Sequence, residues 1–199
     1  MNRQDLAGFS SESGPSSYAL LGQPGWINTA TSGFPNPHPD YFLAVTWKQL
    51  IGTTVLKSNY TSSETFDAHV WCSSGKHGLS SDSPVITYIN IGDTPIRIEH
   101  DFKSSKHTEY IFTSFSPSPS LRKTSTFSSN LPDSLFGDVS FLNGVELKVN
   151  SDGTLPQFPL KGNKKDHSLI TVPPFSYGFL LFQNDKITAC NNDLILAIM

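Results

Sequence analysis

The sequence predicts a mainly β fold, an antiparallel β-sandwich with one helix before it, from three observations. Short runs of alternating apolar and polar residues follow one another closely between residues 53 and 115. Asn143-Gly144 suits the two positive φ angles of a two-residue type I′ hairpin. Pro173-Pro174 cannot donate hydrogen bonds to a strand ladder and therefore marks where a strand begins. Short strands joined by tight turns are typical of a sandwich.

One helix is predicted in the first quarter of the chain. Pro39 and the aspartate after it favour a helix start, and Gly52 favours its end. Leu43, Trp47 and Leu50 recur at helical spacing and form an apolar stripe. The stripe is bulky, so we expect it to pack on something larger than a loop.

Five strands are predicted after the helix, and in the second of them the alternation defines two faces. Phe66, Val70 and Cys72 share one face, and Trp71 lies on the other. The Cys72 thiol therefore points inward, as it would in a structural disulfide. The fourth strand alternates isoleucine with charged residues, which indicates a sheet with one wet face. The five strands span residues 53–56, 66–72, 85–91, 95–100 and 108–115.

The last third of the chain predicts four more strands. Residues 141–142 and 145–149 flank the Asn-Gly turn as a hairpin. The strand after the proline pair is apolar on both faces, because Tyr177, Phe179 and Leu181 share one face while Leu180 and Phe182 occupy the other. It is therefore predicted to be central. A polar turn at 183–185 leads to a short return strand at 186–190. Residues 1–37, apart from a strand end at 3–6, and residues 114–130 are predicted to be loops.

Composition excludes several classes of partner. The 199 residues carry 14 Lys and Arg against 17 Asp and Glu, a net charge of -3, which gives no general attraction to nucleic acid or to an anionic membrane. The nearest basic clusters are short: one loop holds Lys161, Lys164 and Lys165, and another holds Arg122-Lys123. No apolar run approaches the length of a transmembrane helix, and no signal peptide is visible after Met1.

Two features point to a secreted protein. The chain has two cysteines, Cys72 and Cys190, each at the end of a predicted strand. Asn59 begins an Asn-Tyr-Thr acceptor sequence for N-glycosylation. Each has an ordinary alternative, since two free cysteines are common in cytosolic proteins and unused acceptor sequences occur by chance.

A search for catalytic motifs is mostly negative. The sequence contains no phosphate-binding glycine loop, no Gly-x-Ser-x-Gly elbow and no cysteine or histidine pair at zinc spacing, so neither a cofactor nor a metal is expected. Its six histidines are scattered and are interpreted as structural or solvent-exposed. Glu99 and Asp101 alternate along one strand, and we interpret them as a solvated strand face because a retaining glycosidase needs its carboxylate pair in a cleft.

A resemblance to a known family runs through most of the chain, from about Arg3 to Cys190. It rests on NPHPDYFLAVTWKQLIGTTVL at 36–56, followed in order by FLNGVELKV, TLPQFPL, VPPFSYGFLLF and KITAC. These segments resemble the C-terminal part of the heparanase-like family, glycoside hydrolase family 79. The resemblance implies a retaining endo-β-glucuronidase in which a (β/α)8 barrel is followed by a β-sandwich.

The resemblance also implies a division of the chain. Residues 1–52 correspond to the last strand, a loop and the last helix of the barrel, residues 53–192 to the sandwich, and residues 193–199 to a short apolar tail. The full expectation is therefore an antiparallel β-sandwich preceded by the last strand and helix of a barrel. The apolar stripe of the helix would then face barrel elements that lie outside this chain.

Residue roles carried over from the family are few. Cys72 and Cys190 fall where the family joins the start and end of its sandwich by a disulfide. Tyr18 matches a tyrosine at the rim of the family's substrate cleft. A longer insertion at 9–17, and Ser16 where the family has glycine, depart from the pattern at that place.

The family's two catalytic glutamates lie on barrel strands upstream of Met1, so the resemblance assigns no catalytic residue here and implies that this chain alone is inactive. The implied partners are the remaining barrel portion and heparan sulfate or other glucuronide glycans. Members of the family are extracellular, lysosomal or membrane-associated.

Two other functions stay open. One is a non-catalytic carbohydrate-binding or adhesive sandwich module, for which Trp71, Tyr88 and Tyr110 would supply an exposed aromatic row if they share a face. The other is a catalytically dead regulator made from a shortened gene.

Overall fold

A computed structural model describes residues 39–59, 62–113, 140–148, 150 and 154–190. Within them the predicted mainly β class is confirmed, with one helix and ten strands that pair in antiparallel fashion. The elements are α1 Pro39–Leu50, β1 Ile51–Leu56, β2 Phe66–Ser73, β3 Pro84–Asn90, β4 Ile96–Ile98, β5 Lys106–Thr113, β6 Ser140–Leu142, β7 Val145–Leu147, β8 Asn163–Asp166, β9 Ile170–Val172 and β10 Ser176–Leu181.

Eight of the strands form one sheet. Its order is β1-β2-β3-β10-β5-β6-β7, and β8 pairs with β5 beside β6. Strand β10 is central as predicted: Phe179 lies opposite Thr87 of β3 on one side and Tyr110 of β5 on the other. Strands β4 and β9 form a separate two-stranded sheet.

The predicted Asn-Gly hairpin joins β6 and β7. Asn143 and Gly144 have φ angles of 51° and 80°, as a type I′ turn requires. The Asn143 side chain also accepts a hydrogen bond from the Ile111 N–H at 3.0 Å and donates one to the Glu109 carbonyl at 3.0 Å. The turn residue therefore fastens the hairpin to β5 in the middle of the sheet.

Each face of the large sheet carries its own apolar core. Helix α1 covers one face, where Phe42 and Leu50 pack with Phe112, Phe179 and Leu181. The β4-β9 sheet covers the other, where the buried residues are Phe66, Ile86, Tyr88, Ile98, Ile170, Val172, Leu180 and Phe182. This two-sided coverage explains why β10 is apolar on both faces.

The stripe on α1 faces the sheet of this same chain, and the expectation that it faces elements outside the chain is wrong. Leu50 is fully buried, and the Trp47 ring lies edge-on to Trp71 and Phe179, with centroids 5.1 Å and 6.2 Å away. The helix ends at Leu50 and β1 begins at Ile51 without a linker, so the helix is short of its predicted end at Gly52. The boundary that the resemblance implies between the barrel part and the sandwich, between residues 52 and 53, therefore falls inside β1.

Gln49 fastens the helix to the segment that precedes β8. Its side-chain amide donates to the Leu160 carbonyl at 2.9 Å and its amide oxygen accepts from the Leu160 N–H at 2.9 Å. Gln49 is 6% exposed and Leu160 is 6% exposed, so both bonds are shielded from water. The pair joins segments 111 residues apart in the sequence.

We expect Gln49→Leu to lower the free energy of unfolding by about 2 to 6 kcal/mol, because it leaves a buried N–H and a buried carbonyl unpaired at about 1 to 3 kcal/mol each. Urea unfolding followed by tryptophan fluorescence measures this. Lys48→Leu, at the exposed neighbouring position, is the matched control and should change stability little. Equal stability of the Gln49 variant and the native chain would contradict the expectation.

One predicted strand is absent from the described residues. Residues 186–190 were expected to return as a strand, but Thr188–Cys190 form a 3-10 turn in which the Cys190 N–H donates to the Ile187 carbonyl at 2.9 Å. The physical reason is that the Ile187 N–H donates to the carbonyl of Asp82, in the turn before β3, and β3 already has β2 on one edge and β10 on the other. No ladder position is left there for another strand.

Candidate functional site

The structure separates the three aromatic residues proposed as a sugar-binding row. Trp71, Tyr88 and Tyr110 are 7%, 4% and 6% exposed, so none can present a ring to a glycan. Trp71 and Tyr110 belong to the core under α1, while Tyr88 belongs to the core under β4-β9. The prediction of an exposed row is wrong because both faces of the sheet are covered.

A polar cleft lies where β5 pairs with β8. It has a volume of about 350 Å³ and is lined in part by Lys106, Lys164 and Lys165, with one carboxylate, Asp166. Lys164 and Lys165, expected in a loop, belong to a strand whose residues pair with Thr108 and His107. Gln183 and Asn184 complete the polar lining at the end of β10. Its excess of positive charge suits an anionic ligand.

Two histidines and a glutamate meet beside this cleft. His107 and Glu109 lie two residues apart on β5 and therefore share a face. The His107 Nε2 is 3.3 Å from the Glu109 Oε1, and both side chains are buried. His167, exposed in the turn between β8 and β9, brings its ring to 5.1 Å from that of His107. The potential ligand atoms of the three all lie within 4.8 Å of one another.

Backbone carbonyls hold the second nitrogen of each of these imidazoles. The His107 Nδ1 is 3.0 Å from the Ser105 carbonyl, and the His167 Nδ1 is 2.8 Å from the Leu169 carbonyl. A carbonyl can only accept, so each Nδ1 is the protonated donor. In the neutral tautomer, the lone pair of each ring is then on Nε2.

The surroundings of this cluster perturb two neighbouring groups. Burial, followed by the charge of His107, lowers the pKa of His100, while Asp185 and Asp101 oppose that shift. Burial raises the pKa of the Tyr88 hydroxyl, which Ser176 partly offsets and Glu109 reinforces. The rings of His100 and His107 both contact Phe182, with centroids 4.7 Å and 5.4 Å away. The His100 imidazole and the Tyr88 hydroxyl are therefore held in their neutral forms near pH 7.

Of the six histidines, which the sequence shows as scattered, the structure brings His107 and His167 together beside Glu109. The signal that could have found the cluster is the His-x-Glu alternation of β5, because the two side chains must share a face of a strand. The contribution of His167 depends on the β5–β8 register, which no local pattern predicts. Glu99 and Asp101 are exposed, in agreement with their interpretation as solvated residues.

The remaining predicted site residues have different outcomes. Cys72 and Cys190 are joined by a disulfide, with Cα atoms 5.5 Å apart. Asn59 is exposed between β1 and β2, and its glycosylation stays a prediction because residues 60 and 61 lie outside the described residues. Four further predictions also fall outside the described residues: Tyr18, the 3–6 strand end, the 114–130 loop with Arg122-Lys123, and the 193–199 tail.

The known proteins that are similar to this chain carry the names of heparanases or of glucuronidases. Heparanase of Mus musculus is 30% identical over 159 residues, which is 77% of this chain and 27% of the relative. Heparanase-like protein 3 of Arabidopsis thaliana is 25% identical over 85% of this chain and 32% of the relative. Hyaluronoglucuronidase of Hirudo nipponia is 27% identical over 77% of this chain and 29% of the relative. No protein-family model matches the chain.

The matches are broad in this chain and narrow in the relatives. They cover 72% to 85% of the chain, whereas the chain spans about a quarter to a third of the length of the relatives. In the part of the chain that the structure describes, no helix has the length and apolar character needed to span a bilayer. Taken together with the ordered sequence motifs, these matches place the chain in the heparanase-like family.

Proposed function

We propose that this chain is the C-terminal part of a retaining endo-β-glucuronidase that acts on glucuronide-containing glycans. Its β-sandwich begins with β1 at Ile51, the residues up to the end of α1 at Leu50 are the last strand, loop and helix of its catalytic barrel, and the rest of the barrel lies outside this chain. The names of several relatives, among them hyaluronoglucuronidase and baicalin-β-D-glucuronidase, support cleavage of a glucuronide bond.

The observation that carries this proposal is the direct junction of α1 with β1. Helix and strand meet between Leu50 and Ile51, and Gln49 ties the helix to Leu160 in the segment before β8. A barrel helix that runs directly into the first strand of the sandwich would be held in position by the sandwich. The role we propose for the sandwich is therefore to buttress the barrel from its last helix.

Catalysis in such an enzyme needs two carboxyl groups about 5 to 5.5 Å apart on either side of the scissile bond. In the described part of the chain, the lysine-lined cleft contains a single carboxylate, Asp166, and the buried Glu109 lies against His107. Glu99 and Asp101 are exposed. We therefore propose that the catalytic pair belongs to the barrel strands outside this chain, and that the chain alone does not hydrolyse glycans.

Complementation tests this proposal. The purified chain should release nothing from a fluorogenic β-glucuronide or from heparan sulfate. Its coding sequence should restore hydrolysis when it replaces the matching segment of Mus musculus heparanase. The same replacement carrying Phe42→Asp, which places a charge in the core between helix and sheet, should not restore it. Hydrolysis by the chain alone would overturn the proposal.

The second candidate, a carbohydrate-binding module, now depends on the lysine-lined cleft and no longer on aromatic residues. Titration of the isolated chain with heparan sulfate oligosaccharides decides between the two functions. Measurable affinity that is lost in Lys164→Glu, together with failure of the replacement to restore hydrolysis, would favour the module. No affinity with restored hydrolysis would favour the buttressing role.

We also propose that the protein works in an oxidising compartment, outside the cell or in the lysosome. The Cys72–Cys190 disulfide supports this, since disulfides persist mainly in secreted and lumenal proteins. The exposed Asn59 is accessible for a glycan. Both features suit a route through the secretory pathway.

A further inference from the structure

We propose that His107, Glu109 and His167 bind a divalent transition-metal ion of the zinc class. Two imidazoles and a carboxylate with an open fourth position form a ligand set that Zn²⁺ takes in proteins. The proposal does not rest on the glycan function proposed above.

The distances fit a metal better than they fit a hydrogen bond. The His107 Nε2 and Glu109 Oε1 are 3.3 Å apart, beyond the usual range of a charge-assisted hydrogen bond. Two ligands bound tetrahedrally to zinc at about 2.0 to 2.2 Å lie about 3.3 to 3.5 Å from each other. The buried pair is therefore already spaced as two ligands of one ion. The third ligand atom lies within 4.8 Å of the other two and belongs to the exposed side chain of His167.

The hydrogen bonds made by the other ring nitrogen of each histidine also fit a metal site. A metal-binding histidine usually donates its other ring N–H to a carbonyl or carboxylate, which fixes the tautomer and orients the ring. Both histidines do this, through the Ser105 and Leu169 carbonyls. One ligand atom from each histidine is thus presented to the same small volume, together with the Glu109 carboxylate. Imidazole nitrogens favour zinc, nickel or copper over magnesium and calcium.

The position of the site indicates what the ion would do. The β8 strand is four residues long, all of them exposed, and its described pairing is with β5 alone. His167 follows β8 immediately and precedes β9 of the second sheet. An ion shared by β5 and His167 would clamp this edge strand, and with it the passage of the chain from one sheet to the other. It would also hold the lysine-lined cleft in shape, because β8 forms one side of it.

Zinc titration tests the site on the full 199-residue chain, purified without a histidine tag. We expect one zinc ion per chain by calorimetry and by elemental analysis after dialysis. We also expect a rise in unfolding temperature with zinc that magnesium does not produce, because a ligand that binds only the folded state stabilises it.

His167→Ala is the deciding variant, since its side chain is exposed and its loss should leave the fold intact. We expect its zinc affinity to fall at least about tenfold and its thermal response to zinc to disappear. His69→Ala is the matched control, because His69 is exposed and lies 3.2 Å from Asp67 but belongs to no such three-ligand group among the described residues. It should bind zinc as the native chain does.

Three results would overturn the proposal: no zinc binding by the native chain, equal affinity in His167→Ala, or equal loss in His69→Ala. Glu109→Gln provides a second variant of nearly unchanged shape, which should also weaken binding. The glycan experiments cannot produce any of these results, so failure of the metal site and failure of the proposed function remain distinguishable.

Discussion

Removal of the Cys72–Cys190 disulfide is expected to lower the free energy of unfolding by about 5 kcal/mol. The bond joins residues 118 apart, and a cross-link over so long a loop removes much of the chain entropy of the unfolded state. Small domains are commonly stable by about 5 to 15 kcal/mol, so the loss could leave the chain largely unfolded at 37 °C. The double variant Cys72→Ala, Cys190→Ala measures this by urea unfolding.

Reduction of the native chain is the natural control for that double variant. Dithiothreitol should reproduce most of the loss without any change of side chain, and it should have no further effect on the variant. If the variant and the reduced chain kept the stability of the oxidised chain, the disulfide would not constrain the unfolded state as argued.

Phe179→Ala is the second change with a large expected effect, a loss of about 3 to 5 kcal/mol. Phe179 is 1% exposed on the central strand β10, and its ring lies between Trp47 of the helix and Phe112 of β5, with centroids 6.2 Å and 6.4 Å away. Truncation would leave a cavity in the middle of the sheet, where paired neighbours on both sides prevent collapse.

Thermal unfolding followed by circular dichroism measures the effect of Phe179→Ala. Val145→Ala is the control, since Val145 is 68% exposed at the hairpin edge and its truncation should cost little. A Phe179 variant that unfolds at the native temperature would mean that the core under α1 does not support the sheet.

Local chemistry explains what could be predicted of the fold. The Asn143-Gly144 hairpin depends on the backbone angles of two adjacent residues, and the central position of β10 follows from its having apolar residues on both faces. Each is visible within about ten residues of sequence. The helix is visible in the same way, through the spacing of Leu43, Trp47 and Leu50.

What could not be predicted depends on contacts between distant segments. The helix stripe packs on β2 and on β10, and β10 lies more than a hundred residues later in the chain, so the sequence misassigns the surface that the stripe faces. The burial of Trp71 and Tyr110 follows from that same packing. The His107–His167 contact requires the register of β5 against β8, which the sequence of neither strand specifies.

The central position of β10 has a consequence for synthesis of the chain. Among the described strands, β3 and β5 share no edge with each other and are joined by β10, the last of these strands in sequence. Until the ribosome has released residues 176–181, both strands keep an open edge, and open edges pair readily with other chains. The sheet therefore cannot close between β3 and β5 until β10 has been synthesised. The nascent chain is most exposed to aggregation, and most dependent on chaperones, in the interval between synthesis of β5 and release of β10.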